Sequence, residues 1–451
     1  MNINETRQYN LQQYNNLRTD FHFKDHQARS ADFEEVKRVF NKYWSNDPAS
    51  KNQGNPESCL ISFGRVSQIR RIGKIAFLKV RLGTAEIQLV FKKDLTKDWE
   101  ASQYLDFQDW IDFSGLVGLT STGEVSVFVE HFAIKRKCLE SPPAKWEGVT
   151  DKDVIYNSRH IDLLSNIDSA KVFVKRAQLI KQFRNYFEDK GLLEVETSLF
   201  SKQEAGGNAE QFSTYHNASA SHLYMRTAPE LQLKRLMVGN LSRIGVFEIG
   251  KSFRNEGLDR THQPVFETLE AYEYSQFPTV LESFDYLMKT AIELARKIKP
   301  ELDMEVAVWS FWTDAKNTYQ ELNIPESMDL VEAFDNFIEP HLLEKYKDKI
   351  LVVKDHPRKC SPLAKEMADT GYTARLEVYM SGMEIMNGFV ECDCPIKQKE
   401  NFDVQSYVDD DYINALNYGL PMSIGLGIGL SRCVMVATGS TSIKDVILFP
   451  V

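Results

Sequence analysis

Three side chains close together in the sequence have the makings of a nucleotide site. Within residues 246–274, VFEIGKSFRNEGLDRTHQPVFETLEAYEY, Arg254 can grip a phosphate with its forked guanidinium, Glu256 can accept from an amino group, and Phe266 offers a flat face to a base. They lie in or beside the polar run RNEGLDRTHQP. Val246, Glu248 and Gly250 alternate with Phe247, Ile249 and Lys251 before that run, and VFETLEAYEY alternates again after it. Two alternating runs joined in this way predict an antiparallel hairpin around a functional loop. Taken alone, the loop reads equally well as a surface turn with solvated charges.

The order Phe-Arg-Asn-Glu-Gly, then Thr-His-x-Pro-x-Phe, resembles the second signature motif of class II aminoacyl-tRNA synthetases, in the form found in the lysyl-tRNA synthetase family. Other stretches extend the resemblance over about residues 59–451. GLLEVETSLF resembles the first motif, which implies a homodimer, although the family's proline is Ser198 here. LVVKDHPRKCSPLAK carries the Asp-His-Pro and Ser-Pro-Leu-Ala-Lys of the lysine branch. SIGLGIGLSRCVMVATGSTSIKDVILFP resembles the third motif, although the family's Gly-x-Asp-Arg is Gly429-Leu-Ser-Arg432 here.

By this resemblance the activity is lysine–tRNA ligation with ATP and Mg2+. Arg254 and Arg432 would be catalytic, while Glu256, His262, Phe266, Glu384 and Gly429 would join them around ATP. Glu377 and Glu384 would hold magnesium. Gly207 and Glu230 would meet the substrate α-amino group, Asn387 and Phe389 would shape its pocket, and Glu270, Tyr272 and Glu391 would face the side-chain ammonium.

The residue types support that substrate on their own terms. A buried carboxylate is costly unless a cation answers it, so a pocket gathering Glu230, Glu270 and Glu391 asks for a positively charged ligand. Lysine brings two ammonium groups, whereas an aspartate ligand would need Lys or Arg. Were that cavity filled by the chain's own lysine or arginine, the assignment would fail. Two alternatives stay open: a paralogue using another cationic amino acid or acceptor, and a tRNA-binding relic without catalysis. The set of apparent ATP and magnesium residues weighs against the relic.

These residues need elements to hold them. In RLEVYMSGMEIMNGFVECDCP a hairpin should turn at Ser381-Gly382, with Asn387, Phe389 and Glu391 on one face. Glu384 joins that face only if a bulge lies near Ile385. A helix is expected over 169–190, ended by Gly191. The stretch 275–350 reads as a helical insertion of structural character.

Upstream, residues 59–140 break into five short alternating strands, which points to a small OB-fold barrel. Between 61 and 97 nine Lys or Arg stand against two acidic residues, opposite to the chain's net charge of −10, and this suits a phosphate-tracking surface. Arg65, Phe77 and Gln88 combine a cation, an aromatic platform and an amide donor, as splayed bases require. The resemblance makes them readers of the tRNA(Lys) anticodon. Residues 1–58 read as a helical extension and linker, 141–166 as a connector, and 167–451 as an α+β catalytic domain, an antiparallel sheet with flanking helices.

Composition, 43% hydrophobic and 26% charged, is that of a globular enzyme. No apolar run reaches the roughly 20 residues of a membrane span, the N-terminus has no signal-peptide core, and six scattered cysteines lack disulfide or zinc spacing. A cytoplasmic protein with free thiols and no membrane partner is expected.

Overall fold

The computed structural model describes residues 2–17, 33–140, 149–202, 209–368, 370–404 and 409–451. The chain divides into two compact units, Met1–Lys171 and Val172–Val451.

The first unit is built on a closed barrel of β1 (Cys59–Ile72), β2 (Ile75–Leu82), β3 (Ala85–Lys92), β4 (Trp110–Leu119) and β5 (Val125–Arg136), in the order β1-β2-β3-β5-β4. Alternation divides the strands as the sequence requires. Ala76, Leu78 and Val80 point into the core, and Phe77, Lys79 and Arg81 point outward. Helix α1 (Ile3–Leu17) is tied to the barrel by the Tyr14 hydroxyl, which accepts from the Ile134 amide at 2.8 Å. Helix α2 (Phe33–Tyr43) buries Phe33 and Phe40 in the barrel's core cluster. The stretch read as a linker is in fact docked: Asn52 and Asn55 donate backbone amides to Leu119 and Val117, and Gly54 lies too close to Leu116 to carry a side chain. Helices α3 (Lys152–Asn157) and α4 (Arg159–Ser165) follow, with a buried Arg159–Asp162 ion pair at 2.8 Å.

The second unit carries an eight-stranded sheet. Its strands are β6 (Leu193–Glu194), β10 (Gly245–Phe253), β11 (Val265–Tyr274), β12 (Val306–Ser310), β13 (Ile350–Lys354), β14 (Arg375–Met380), β15 (Met383–Val390) and β16 (Ser423–Gly429). A small second sheet holds β7 (Phe200–Ser201), β8 (Ser213–His216) and β9 (Ser221–Met225). The large sheet runs β12-β13-β14-β15-β16-β11-β10-β6, antiparallel except for the pairs at its two ends. Helix α5 (Ile167–Asp189) buries Leu179, Phe183 and Phe187, and Gly191 follows it at φ +86°, a conformation open to glycine at little cost. Helix α6 (Glu230–Val238) packs beside β10 and β11.

The stretch 275–350 is more than an insertion. Its helix α7 (Val280–Ile298) starts on a Thr279 cap and buries Leu287, Ala291, Leu294, Ala295 and Ile298 in the main core, while β12 forms one end of the sheet. Burial of that stripe, rather than any motif, gives the helix its place. Among the described residues no helix is long and apolar enough to cross a membrane.

Candidate active site

The 246–274 hairpin forms as β10 and β11, paired from Gly245↔Glu273 to Phe253↔Val265. Next to it β16 pairs with β11 on one side and β15 on the other, and the register sets the site. Tyr272, Gly425 and Phe389 stand in one row; Glu270, Gly427 and Asn387 stand in the next. Paired residues project to the same face, so the glycines of β16 form a trough floor between two walls of side chains. Their neighbours Ile424, Leu426 and Ile428 point to the opposite face, into the core. A cavity of about 310 Å³ lies over this floor, lined among others by Glu230, Arg254, Glu256, His262, Phe266, Glu384 and Arg432.

The glycines differ in what they permit. A methyl group on Gly425 would come within 2.1 Å of Glu391 Oε1 and 2.6 Å of the Tyr272 ring, whereas one on Gly427 would meet nothing nearer than 3.6 Å. Gly425 therefore makes room for the protein's own carboxylate, and Gly427 and Gly429 keep the floor low.

The β14–β15 hairpin turns through Ser381 and Gly382, at φ 51° and 75°. Its register slips between Val378↔Met386 and Tyr379↔Glu384, which leaves Ile385 as the extra residue of a bulge. That slip puts Glu384 on the cavity side with Asn387 and Phe389.

At one end of the cavity, guanidinium groups dominate. Arg254 lies over the Phe266 ring at 5.3 Å, so the aromatic face expected to meet a base carries an arginine. Arg432 donates to His262 Nε2 at 2.8 Å and to the Glu384 carbonyl at 3.0 Å, with the Glu384 carboxylate 3.4 Å away. His262 Nδ1 is 2.7 Å from Asp259 Oδ2; with Nε2 accepting from Arg432, Nδ1 carries the proton. The Thr261 amide, then the His262 ring, hold Asp259 at about 2.

Glu377 is already answered: Arg375 and the Tyr379 hydroxyl each donate to it at 2.6 Å, and His356 Nε2 is 3.4 Å away. Burial alone would raise its pKa, yet His356 and Arg375 hold it well below the usual carboxylate range. Glu384 is the reverse, pushed up to about 7 by burial and then by Glu377. Among the described residues no cluster of three or more His, Cys, Asp or Glu could hold a metal alone. Glu384, which burial leaves short of positive charge, still suits magnesium held mainly through substrate phosphates, with the ionised Glu377 beside it.

The other end of the cavity is acidic. The Tyr272 hydroxyl donates to Glu270 at 2.9 Å. Burial, then the nearby Glu230, push Glu270 up to about 7. Glu391 does not line the cavity. It is fully buried and meets the ammonium of Lys234, which also bonds Glu230 at 2.6 Å. Lys234 Nζ lies 5.1 Å from the Phe389 ring, 5.7 Å from Tyr272 and 5.8 Å from Tyr412. Glu391 thus already meets an ammonium of the protein's own, a partner that the reading from sequence did not include. Lys234 was missed, though its position four residues after Glu230 placed both on one helix face.

That lysine does not satisfy the site. Burial, only partly offset by Lys234, still pushes Glu391 up to about 8. Three carboxylates share one lysine, and Arg226 is taken by Glu248 at 2.6 Å. Lys234 is not among the residues lining the cavity, so it does not fill it, and the cavity retains a demand for positive charge. Gly207 lies outside the described residues.

On the barrel, Arg65↔Arg81, Lys79↔Gln88 and Arg70↔Phe77 pair across strands, so Arg65, Phe77 and Gln88 share the outer face. Phe77 is half-buried, Gln88 donates to Ser126 at 2.9 Å, and Arg65 lies over Trp110 at 5.0 Å.

Residues 151–451 match the family of class II tRNA synthetases (D, K and N), and residues 62–134 match the OB-fold nucleic acid binding domain. A lysine–tRNA ligase of Chloroflexus aurantiacus is 36% identical, with 86% of this chain and 87% of that protein covered. One from Lactococcus lactis is 34% identical with the same coverage, and one from Helicobacter pylori is 35% identical, covering 87% and 86%. A family match over most of the chain and relatives this similar over nearly all of it lead to one conclusion: the chain belongs to the class II tRNA synthetases of the D, K and N group.

Proposed function

We propose that this protein activates lysine with ATP and transfers the lysyl group to the terminal adenosine of tRNA(Lys). The observation that carries the reading is the polarity of one cavity: Arg254 and Arg432 at one end, Glu230 and Glu270 at the other, with a glycine floor between. Lysine laid along that axis places its carboxylate toward the arginines and its ammonium groups among the carboxylates.

The lysine carboxylate attacks the α-phosphorus of ATP. A C(O)–O–P bond forms, the bond to the β-phosphate oxygen breaks, and pyrophosphate leaves. No side-chain nucleophile is needed, because positioning and charge neutralisation supply the catalysis. Arg254 neutralises charge gathering on the transferring phosphoryl group. Arg432, oriented by His262 and Glu384, binds the nucleotide beside it. Glu384 and Glu377 would hold magnesium, which would neutralise the phosphates. Glu256, Phe266 and Gly429 would receive the nucleotide. Glu230 would take the α-ammonium, and Glu270 with Tyr272 the ε-ammonium, between the walls set by Asn387 and Phe389. Glu391 acts one layer back, through Lys234. Arg65, Phe77 and Gln88 would read the anticodon.

We place the enzyme in the cytoplasm as a homodimer. Six free cysteines suit a reducing compartment, and Leu193 and Phe200, 44% and 41% exposed, supply apolar surface within the first motif.

The test is amino-acid-dependent ATP–pyrophosphate exchange, run with and without tRNA, followed by charging of tRNA(Lys). Lysine should drive both, with ornithine and arginine weaker. Exchange driven by another amino acid, or none under either condition, would overturn the reading.

A further inference from the structure

We propose that Lys234 is a positioning residue that sets specificity: its ammonium, buried behind the cavity wall, pins Glu230 and Glu391 and cancels one of three acidic charges, so the cavity selects a ligand carrying two ammonium groups. This rests on the lysine reading above. The geometry shows an enclosed ammonium bonded to two carboxylates. Lys234 is 1% exposed and sits four residues after Glu230 on α6. It is enclosed by the rings of Tyr272 on β11, Phe389 on β15 and Tyr412 on the helix Asp410–Leu416. A buried ammonium in such a cage costs too much desolvation to remain without carboxylate partners.

The groups facing it from each packed element complete the count. Helix α6 offers Glu230, β11 offers Glu270 and Tyr272, and the chain after β15 offers Glu391 and Cys392, with Tyr412 opposite. Burial keeps Tyr272, Tyr412 and Cys392 protonated, and Arg226 is bound to Glu248, so only three carboxylates and one lysine are left to carry charge once ionised. Two negative charges remain for the ligand's two ammonium groups, while its carboxylate lies toward Arg254. Burial and mutual repulsion hold Glu270 and Glu391 at about 7 and about 8. Lysine binding therefore needs both ionised, and it expels protons.

The test has two arms. Calorimetry of lysine binding to the wild-type protein at pH 7.5, in two buffers of different ionisation enthalpy, should report net proton release. In exchange assays the lysine KM should fall as pH rises from 6.5 to 8.5. In K234M that limb should move to higher pH, raising KM at pH 7.5 by roughly tenfold for each pH unit moved. K234R, which keeps the charge in a bulkier head, should lose activity without moving the limb. A limb unmoved in K234M, or binding without proton release, overturns the inference and leaves the lysine reading standing. A wild-type protein with no lysine-dependent exchange overturns both.

Discussion

Gly425→Ala is the sharpest probe of how the trough is built. The new methyl would come within 2.1 Å of Glu391 Oε1 and 2.6 Å of the Tyr272 ring. Either the β16 backbone shifts or Glu391 and Tyr272 withdraw, and overpacking of this kind costs about 1–3 kcal/mol. Withdrawal of Glu391 would also loosen its contact with Lys234, the pair that fixes the acidic end. The matched control is Gly427→Ala on the same strand and face, whose methyl meets only Asn387 O at 3.6 Å and Glu270 Cγ at 3.9 Å. Urea denaturation of the two variants should place G425A about 1–3 kcal/mol below wild type and G427A within about 0.5 kcal/mol of it. Lysine KM in pyrophosphate exchange should rise about tenfold or more in G425A, since about 1.4 kcal/mol of lost binding is tenfold. Equal stability and equal lysine KM in the two variants would refute the claim that Gly425 exists to seat Glu391 and Tyr272.

Arg254→Ala should lower the exchange rate by about 100- to 1,000-fold, as for loss of a key transition-state donor, while thermal denaturation leaves this exposed position's variant near wild type. Phe77→Ala should raise the KM for tRNA in aminoacylation by an amount set by one stacked base, about 1–3 kcal/mol, and leave tRNA-independent exchange unchanged. Glu391 titrates at about 8 when folded against 4.5 ordinarily, so the folded state binds its proton more tightly than the unfolded chain. Its contribution to stability is full below 4.5 and is lost as pH rises through 8, so denaturation midpoints should fall across that window and Glu391→Gln should flatten the decline.

Much of the site was legible because its signals are local. The β10–β11 hairpin follows from alternation on both sides of a polar loop, the turn at Ser381-Gly382 from residues that accept positive φ, and the bulge at Ile385 from the need to bring Glu384 to the face of Asn387. The contact of Lys234 with Glu391 was not legible, because it joins α6 to the end of β15 through tertiary packing alone. The half of that arrangement within α6, Glu230 and Lys234 one helical turn apart, was there to be read. The same holds for Glu377: Arg375 and Tyr379 flank it at two-residue spacing on one strand face, the cross-bracing a period of two predicts. The place of helix α7 in the main core escaped, because its stripe of Leu and Ala marks burial without marking what it is buried against.

The central claim is that an acidic cavity, backed by one buried lysine of the protein's own, has charge left for a second. A crystal structure with lysine and a non-hydrolysable ATP analogue tests it directly. The account predicts the ligand's ε-ammonium at Glu270 and Tyr272, its α-ammonium at Glu230, and Lys234 still on Glu391. Lysine bound with its carboxylate toward Glu270, or Lys234 driven off Glu391 by the ligand's ammonium, would contradict it.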